Sequence, residues 1–112
     1  MSLVMLPGRT VHGQIEDQCR QNPAALCVSL WQSGQWQDCT RQTFWSRVEY
    51  WASRFRQSLE EPALVLFIKK LDLDLLASFI GAMKAGHLPS QISPPSVKSS
   101  HSEYQRRIQH IL

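Results

Sequence analysis

The chain has 112 residues, 43% of them hydrophobic and 19% charged, with a net charge of +3 and a pI near 9.0. That length holds one domain at most with a modest core, the apolar fraction excludes wholesale disorder, and the basicity falls short of a nucleic-acid-binding tail. No apolar run approaches the roughly 20 residues needed to cross a bilayer, and the opening stretch lacks the basic region of a secretory signal, so the sequence reads as soluble and cytoplasmic, with no membrane span and no nucleic-acid partner.

Val11, Ile15 and Cys19 recur at four-residue steps and predict a short helix, with Thr10 as its N-cap. Asn22-Pro23 ends it, because the residue before proline avoids the helical region. Leu26 to Trp31 is nearly all apolar and predicts a strand. Ser33-Gly34-Gln35 turns the chain so that Trp36 to Cys39 returns as the second arm of a hairpin. Trp31 and Trp36 flank this turn, are placed for a cross-strand or diagonal pair, and read as structural. Four tryptophans in a chain of this length are either core mass or part of a surface that expects a partner.

Thr40 caps a strongly amphipathic helix whose apolar stripe is Phe44, Val48, Trp51, Ala52, Phe55 and Leu59. Arg41, Arg47, Arg54 and Arg56 occupy the rest of its surface and read as a solvated face. Glu60-Glu61-Pro62 breaks the helix, and Ala63 to Ile68 is an uninterrupted apolar run before Lys69-Lys70. Such a run predicts a central strand covered on both faces. Asp72 and Asp74 open the next helix at its positive end. Leu73, Leu76, Ile80 and Met83 form one stripe of it, Leu75, Phe79 and Ala82 widen it, and Gly86 closes it. His87 to Ile92 predicts a strand that Pro89 confines to an edge or a bend. A Pro/Ser loop over 93–99 follows, then a capping box at Ser100 and Glu103 and a last helix lined by Tyr104, Ile108 and Ile111. The fold class predicted is α/β: a partial α/β sandwich with a β-hairpin and a right-handed parallel strand–helix–strand unit, helices packed on the sheet.

Chemistry-bearing residues are scattered. There is no phosphate-binding Gly-rich loop, no nucleophile elbow and no His-Glu-x-x-His. His12, His87, His101 and His110 lie far apart, and His87 reads as a capping or surface residue. Cys19, Cys27 and Cys39 are odd in number and widely spaced, which fits reduced, partly buried thiols better than disulfides, or than a metal site of Cys19 and Cys27 with His12. Asp72 and Asp74 are explained by the helix start. Lys69, Lys70 and Arg41 are first of all solvated charges, with phosphate positioning as the alternative.

One ordered set of segments stands out. Thr10-Val11-His12, Asn22-Pro23, Thr40-Arg41-Gln42-Thr43-Phe44, the helix carrying Ala82-Met83-Lys84-Ala85-Gly86, the Pro-containing strand after it, and Arg107-Ile108 with Ile111-Leu112 follow one another. Together they resemble the opening of the adenylate-forming (AMP-binding) superfamily of acyl-CoA synthetases, peptide-synthetase adenylation domains and luciferases. The sequence departs from that pattern at Glu60-Glu61-Pro62, at Lys69-Lys70-Leu71 and at 88–95, as a divergent branch would. The resemblance implies an extension over 1–9 and the N-terminal portion of an adenylation domain over 10–112, truncated before the nucleotide-binding motifs. The implied parent reaction joins a carboxylate to ATP, giving acyl-AMP, with ATP and Mg as the parent's cofactors. This chain would supply scaffold, with no catalytic, cofactor-binding or metal-binding residue of its own. Its partner would be the remainder of the enzyme or a self-association partner, and the alternative is a non-enzymatic interaction module derived from the same fold.

Overall fold

The computed structural model describes residues 10–92, 105, 106 and 109. Helix α1 spans Val11–Gln21, and the Gly13 amide donates to Thr10 Oγ1 at 3.0 Å, so Thr10 is the N-cap. Strands β1 (Leu26–Gln32) and β2 (Gln35–Thr40) form the antiparallel hairpin. Its two-residue turn, Ser33-Gly34, has both φ values positive (54° and 77°), as a type I′ turn requires. Trp31 and Trp36 are direct partners across the ladder, their rings edge-to-face with centroids 5.4 Å apart.

Helix α2 (Arg41–Ser58) starts on Thr40, whose hydroxyl accepts from the Thr43 amide at 3.3 Å. It is the spine of the molecule. Phe44, Trp45, Val48 and Ala52 are buried along it, and α1, β1, β2 and helix α3 (Leu73–Lys84) all pack on it. Trp45, absent from the stripe expected from sequence, is buried because it faces α1 and α3 together; the periodicity of one helix cannot register two neighbours.

Strand β3 (Leu64–Ile68), helix α3 (Leu73–Lys84) and strand β4 (Leu88–Ile92) make the expected parallel unit, with Leu64 opposite Leu88 and Ile68 opposite Ile92. Asp72 is the N-cap of α3, accepting from the Leu75 amide at 2.7 Å. Gly86, at φ 90°, takes the left-handed position past the helix end. The most buried residues of α3 are Leu75 and Ala82, which widen the expected stripe, with Ala77, Ser78 and Gly81; Leu73, Leu76, Ile80 and Met83 are half-buried. Small side chains let α3 approach α2 closely: a Cβ on Gly81 would lie 2.9 Å from Trp51 Cβ and 3.0 Å from Val48 O. A chain of rings (Trp51, Phe55, Phe67 and Phe79, with neighbouring centroids 6.0–6.2 Å apart) then joins α2, β3 and α3.

Among the described residues, β3 is covered on one face only, not on both as expected. It pairs only with β4 among the described residues, and α3 and α2 cover one side, so Leu64, Ile68 and Leu88 are 48%, 47% and 68% exposed. The apolar run is compatible with two-sided burial, but the described elements supply packing for one side. Residues 105, 106 and 109 are helical, in line with the last expected helix. The 93–99 loop, the Ser100–Glu103 box, Tyr104, Ile108 and Ile111 lie outside the described residues.

Candidate functional site

In a parallel sheet the carboxyl ends of the strands are where ligands usually sit, and that end of β3 carries Lys69, Lys70 and the start of α3. Lys69 Nζ is 2.9 Å from Asp72 Oδ2. Asp72 also accepts from the Leu75 amide. Burial pushes the Asp72 carboxyl up, but the Lys69 and Leu75 hydrogen bonds outweigh it and hold the group below its ordinary value. Asp74 pairs with Arg47 Nη1 at 2.8 Å, tying α3 to α2. Arg41 Nη1 donates to the Gln18 carbonyl at 3.1 Å and satisfies the end of α1. The cations singled out in the sequence are therefore not gathered: Lys69 and Arg41 are committed to separate structural bonds, and Lys70 is exposed. A triphosphate with its Mg ion would need converging donors and carboxylates. The described residues do not fit that group, since the nearest carboxylates already cap and brace α3.

The cysteines do come together. Cys19 and Cys39 are buried in one cluster and Cys27 packs against it. Burial raises all three thiols, and Cys27, beside Cys19, is pushed up to about 11. These are protonated, weakly nucleophilic groups packed as small apolar side chains. Among the described residues no three His, Cys, Asp or Glu are placed to share a metal ion. His12 lies on the half-buried part of α1. His87 is buried, contrary to the surface or capping role expected of its ring. Its amide donates to the Ala82 carbonyl at 2.9 Å, which does finish α3, while its Nδ1 accepts from the Ala63 amide at 3.1 Å. Nδ1 as acceptor places the proton on Nε2, which is buried without a hydrogen-bond partner among the described residues. The ring packs at 6.3 Å from Phe55 and fixes the entry to β3.

The densest polar arrangement carries no local sequence motif. Lys84, near the end of α3, donates to Glu16 Oε1 on α1 and to Glu49 Oε1 on α2, the latter at 2.7 Å. Trp45 Nε1 donates to the same Glu49 oxygen at 2.9 Å, and Lys84 Nζ lies 5.0 Å from the Trp45 ring centre. Burial pulls the ammonium down, but its two carboxylate bonds outweigh this and hold it above the ordinary lysine value. The Lys84 hydrogen bond in turn holds Glu49 below the usual carboxylate range. Three helices meet at one cation. The only sequence signal was the four-residue spacing of Trp45 and Glu49; the partners Glu16 and Lys84 are brought in by packing.

No helix of the described residues is long and apolar enough to cross a membrane. No protein-family model matches the chain, and no curated protein matches it. Solved structures do. The chain is similar to a fatty acyl-adenylate ligase from L. pneumophila in complex with acyl adenylate and pyrophosphate (TM-score 0.71, 16% identity), over 85% of this chain and 17% of that one. It is similar to a fatty acid AMP ligase from Legionella pneumophila (TM-score 0.68, 18% identity), over 87% of this chain and 16% of that one. It is also similar to the nonribosomal peptide synthetase FmoA3 bound to α-methyl-L-serine-AMP (TM-score 0.73, 18% identity), over 96% of this chain and 12% of that one. The fold is that of one portion of adenylate-forming ligases. The chain spans about 12–17% of the length of these structures.

Proposed function

We propose that this chain is the N-terminal scaffold of an ATP-dependent adenylate-forming ligase, acting in the cytoplasm. In the whole enzyme a carboxylate attacks the α-phosphorus of ATP, giving acyl-AMP and pyrophosphate. The observation that carries the reading is the agreement of two independent likenesses: the ordered segments from Thr10-Val11-His12 to Ala82-Met83-Lys84-Ala85-Gly86, and the shared fold over most of the chain. The described residues contribute packing and helix positioning. Phosphate, adenine and Mg contacts belong to the remainder of such an enzyme, and a fatty acid or an amino acid is the carboxylate class suggested by the neighbours' names.

The outer face of the β3–β4 pair is the surface we assign to that remainder. Leu64, Ile68 and Leu88 leave water there only if further polypeptide packs on them, and parallel sheets are stable when both faces are covered. The test is pyrophosphate release from ATP, Mg and a panel of fatty and amino acids. The purified chain alone is expected to give none. Mixed with a polypeptide carrying the rest of an adenylate-forming ligase, it is expected to restore turnover, and Leu88→Glu is expected to abolish the rescue. Turnover by the chain alone, or rescue indifferent to Leu88→Glu, would overturn the scaffold reading.

A further inference from the structure

We propose that the tip of the β1–β2 hairpin is an interfacial anchor whose two indoles, Trp31 and Trp36, seat in the headgroup region of an uncharged lipid surface. Both side chains are exposed, at 61% and 65%, although the molecule has a core that accommodates Trp45. Hairpin stability accounts for their pairing with each other. It does not account for both being tryptophan on a face that no described element covers. The root of the hairpin is fixed to the core through Val28 and Cys39, and Trp36 lies three residues beyond Cys39, so the rings are carried about 10 Å outward along the strand. That matches the depth to which peripheral anchors enter the boundary between headgroups and acyl chains, roughly 5–10 Å.

Charge selects the partner. Residues 21–37 contain no Asp, Glu, Lys, Arg or His, and the tip is Gln32-Ser33-Gly34-Gln35. The nearest ionisable group on the same face is Asp38, two residues nearer the root, which accepts from the Ser29 hydroxyl at 2.6 Å. An uncharged tip loses little on leaving water, and indole is the side chain best suited to a boundary that is apolar on one side and wet on the other. A protein partner fits less well. A stable interface needs roughly 800 Å² on each side with a hydrogen-bonding rim around its aromatic centre, whereas this is a narrow convex turn. A fluid interface makes no demand of shape.

The experiment uses the whole chain with phosphatidylcholine vesicles, reading co-sedimentation and the blue shift and brominated-lipid quenching of tryptophan emission. Binding is expected, nearly unchanged between about 0.1 and about 0.5 M salt because no charge pairing drives it. The double variant Trp31→Thr/Trp36→Thr keeps β-branched residues in the ladder and is expected to lose about tenfold or more in partitioning. Its far-UV circular dichroism should match the parent. If the double variant fails to fold, Ser33→Glu, which charges the tip and leaves both indoles, is expected to give a similar loss. No binding by the parent chain, no quenching by brominated lipid, or equal binding by the Thr variant would overturn the proposal. So would binding confined to anionic vesicles and abolished by salt, which would place the contact on the arginine-bearing face of α2.

Discussion

Replacing Gly81 by alanine isolates the contact on which the helical layer is built. In an open helix interior this change stabilises by about 0.5–1 kcal/mol, because alanine loses less backbone freedom on folding. Here the added Cβ would lie 2.9 Å from Trp51 Cβ and 3.0 Å from both Ala52 N and Val48 O. Two of those three atoms are backbone of α2, so no rotamer change relieves them; the helices must separate. Overpacking of this kind costs about 1–3 kcal/mol, and the separation would also loosen Ala52 and Val48, both fully buried. The balance is a net loss of about 1–2 kcal/mol for Gly81→Ala and a larger one for Gly81→Val, which brings more volume without alanine's helix preference. Urea unfolding followed by far-UV circular dichroism measures this as a lower midpoint at unchanged slope. A Gly81→Ala protein as stable as the parent, or more so, would refute the close approach of α2 and α3. Ser53→Ala on the exposed side of α2 controls for propensity alone.

Lys84→Met keeps the apolar stem against Trp45 but takes the shared cation from two carboxylates, leaving Glu16 only Arg20 and Glu49 only the Trp45 indole; since both are partly exposed the expected loss is roughly 1–2 kcal/mol, measured by the same unfolding assay, and a neutral result would remove the three-helix junction. Stability should be flat through neutral pH and fall at both ends. Glu49 and Asp72 have folded values below 4.5 and 3.8, so what their partners contribute is present above those values and lost as pH falls through the folded ones. At the alkaline end, between about 9.0 and about 11 the unfolded chain has lost the Cys27 proton that the folded chain keeps, so stability falls as pH rises. Cys27→Ala should flatten that limb, as chemical unfolding at pH 8 and 10 will show; an unchanged slope would move the effect to other groups.

Much of the architecture was legible because it is written in short-range chemistry. Thr10 and Thr40 are read as caps, and each sits three residues before the amide it satisfies; Asp72 and Asp74 are read as the acidic start of α3, where the structure makes Asp72 the cap, and Ser33-Gly34-Gln35 is read as a turn, in which Ser33 and Gly34 take positive φ. Trp31 and Trp36 flank that turn and are read as a cross-strand or diagonal pair; the two-residue turn of the structure sets them directly opposite. Lys69, Lys70 and Arg41 are read as ordinary charges first, and in the structure Lys69 and Arg41 brace helix ends. What stayed hidden depends on which surfaces meet. A single helix carries one apolar period, so Trp45, facing two neighbours, fell outside the stripe, and Gly81 gave no sign that backbone atoms of another helix press on it.

Periodicity, caps and turns thus determined the helices, the hairpin and the parallel strand–helix–strand unit, because each depends on residues a few positions apart. Tertiary structure alone decided three further things: that a lysine of α3 joins carboxylates from α1 and α2, that His87 turns its ring inward to hold the Ala63 amide, and that among the described residues β3 is covered on one side. Each of these depends on residues far apart in the chain, where sequence spacing carries no distance and packing sets it.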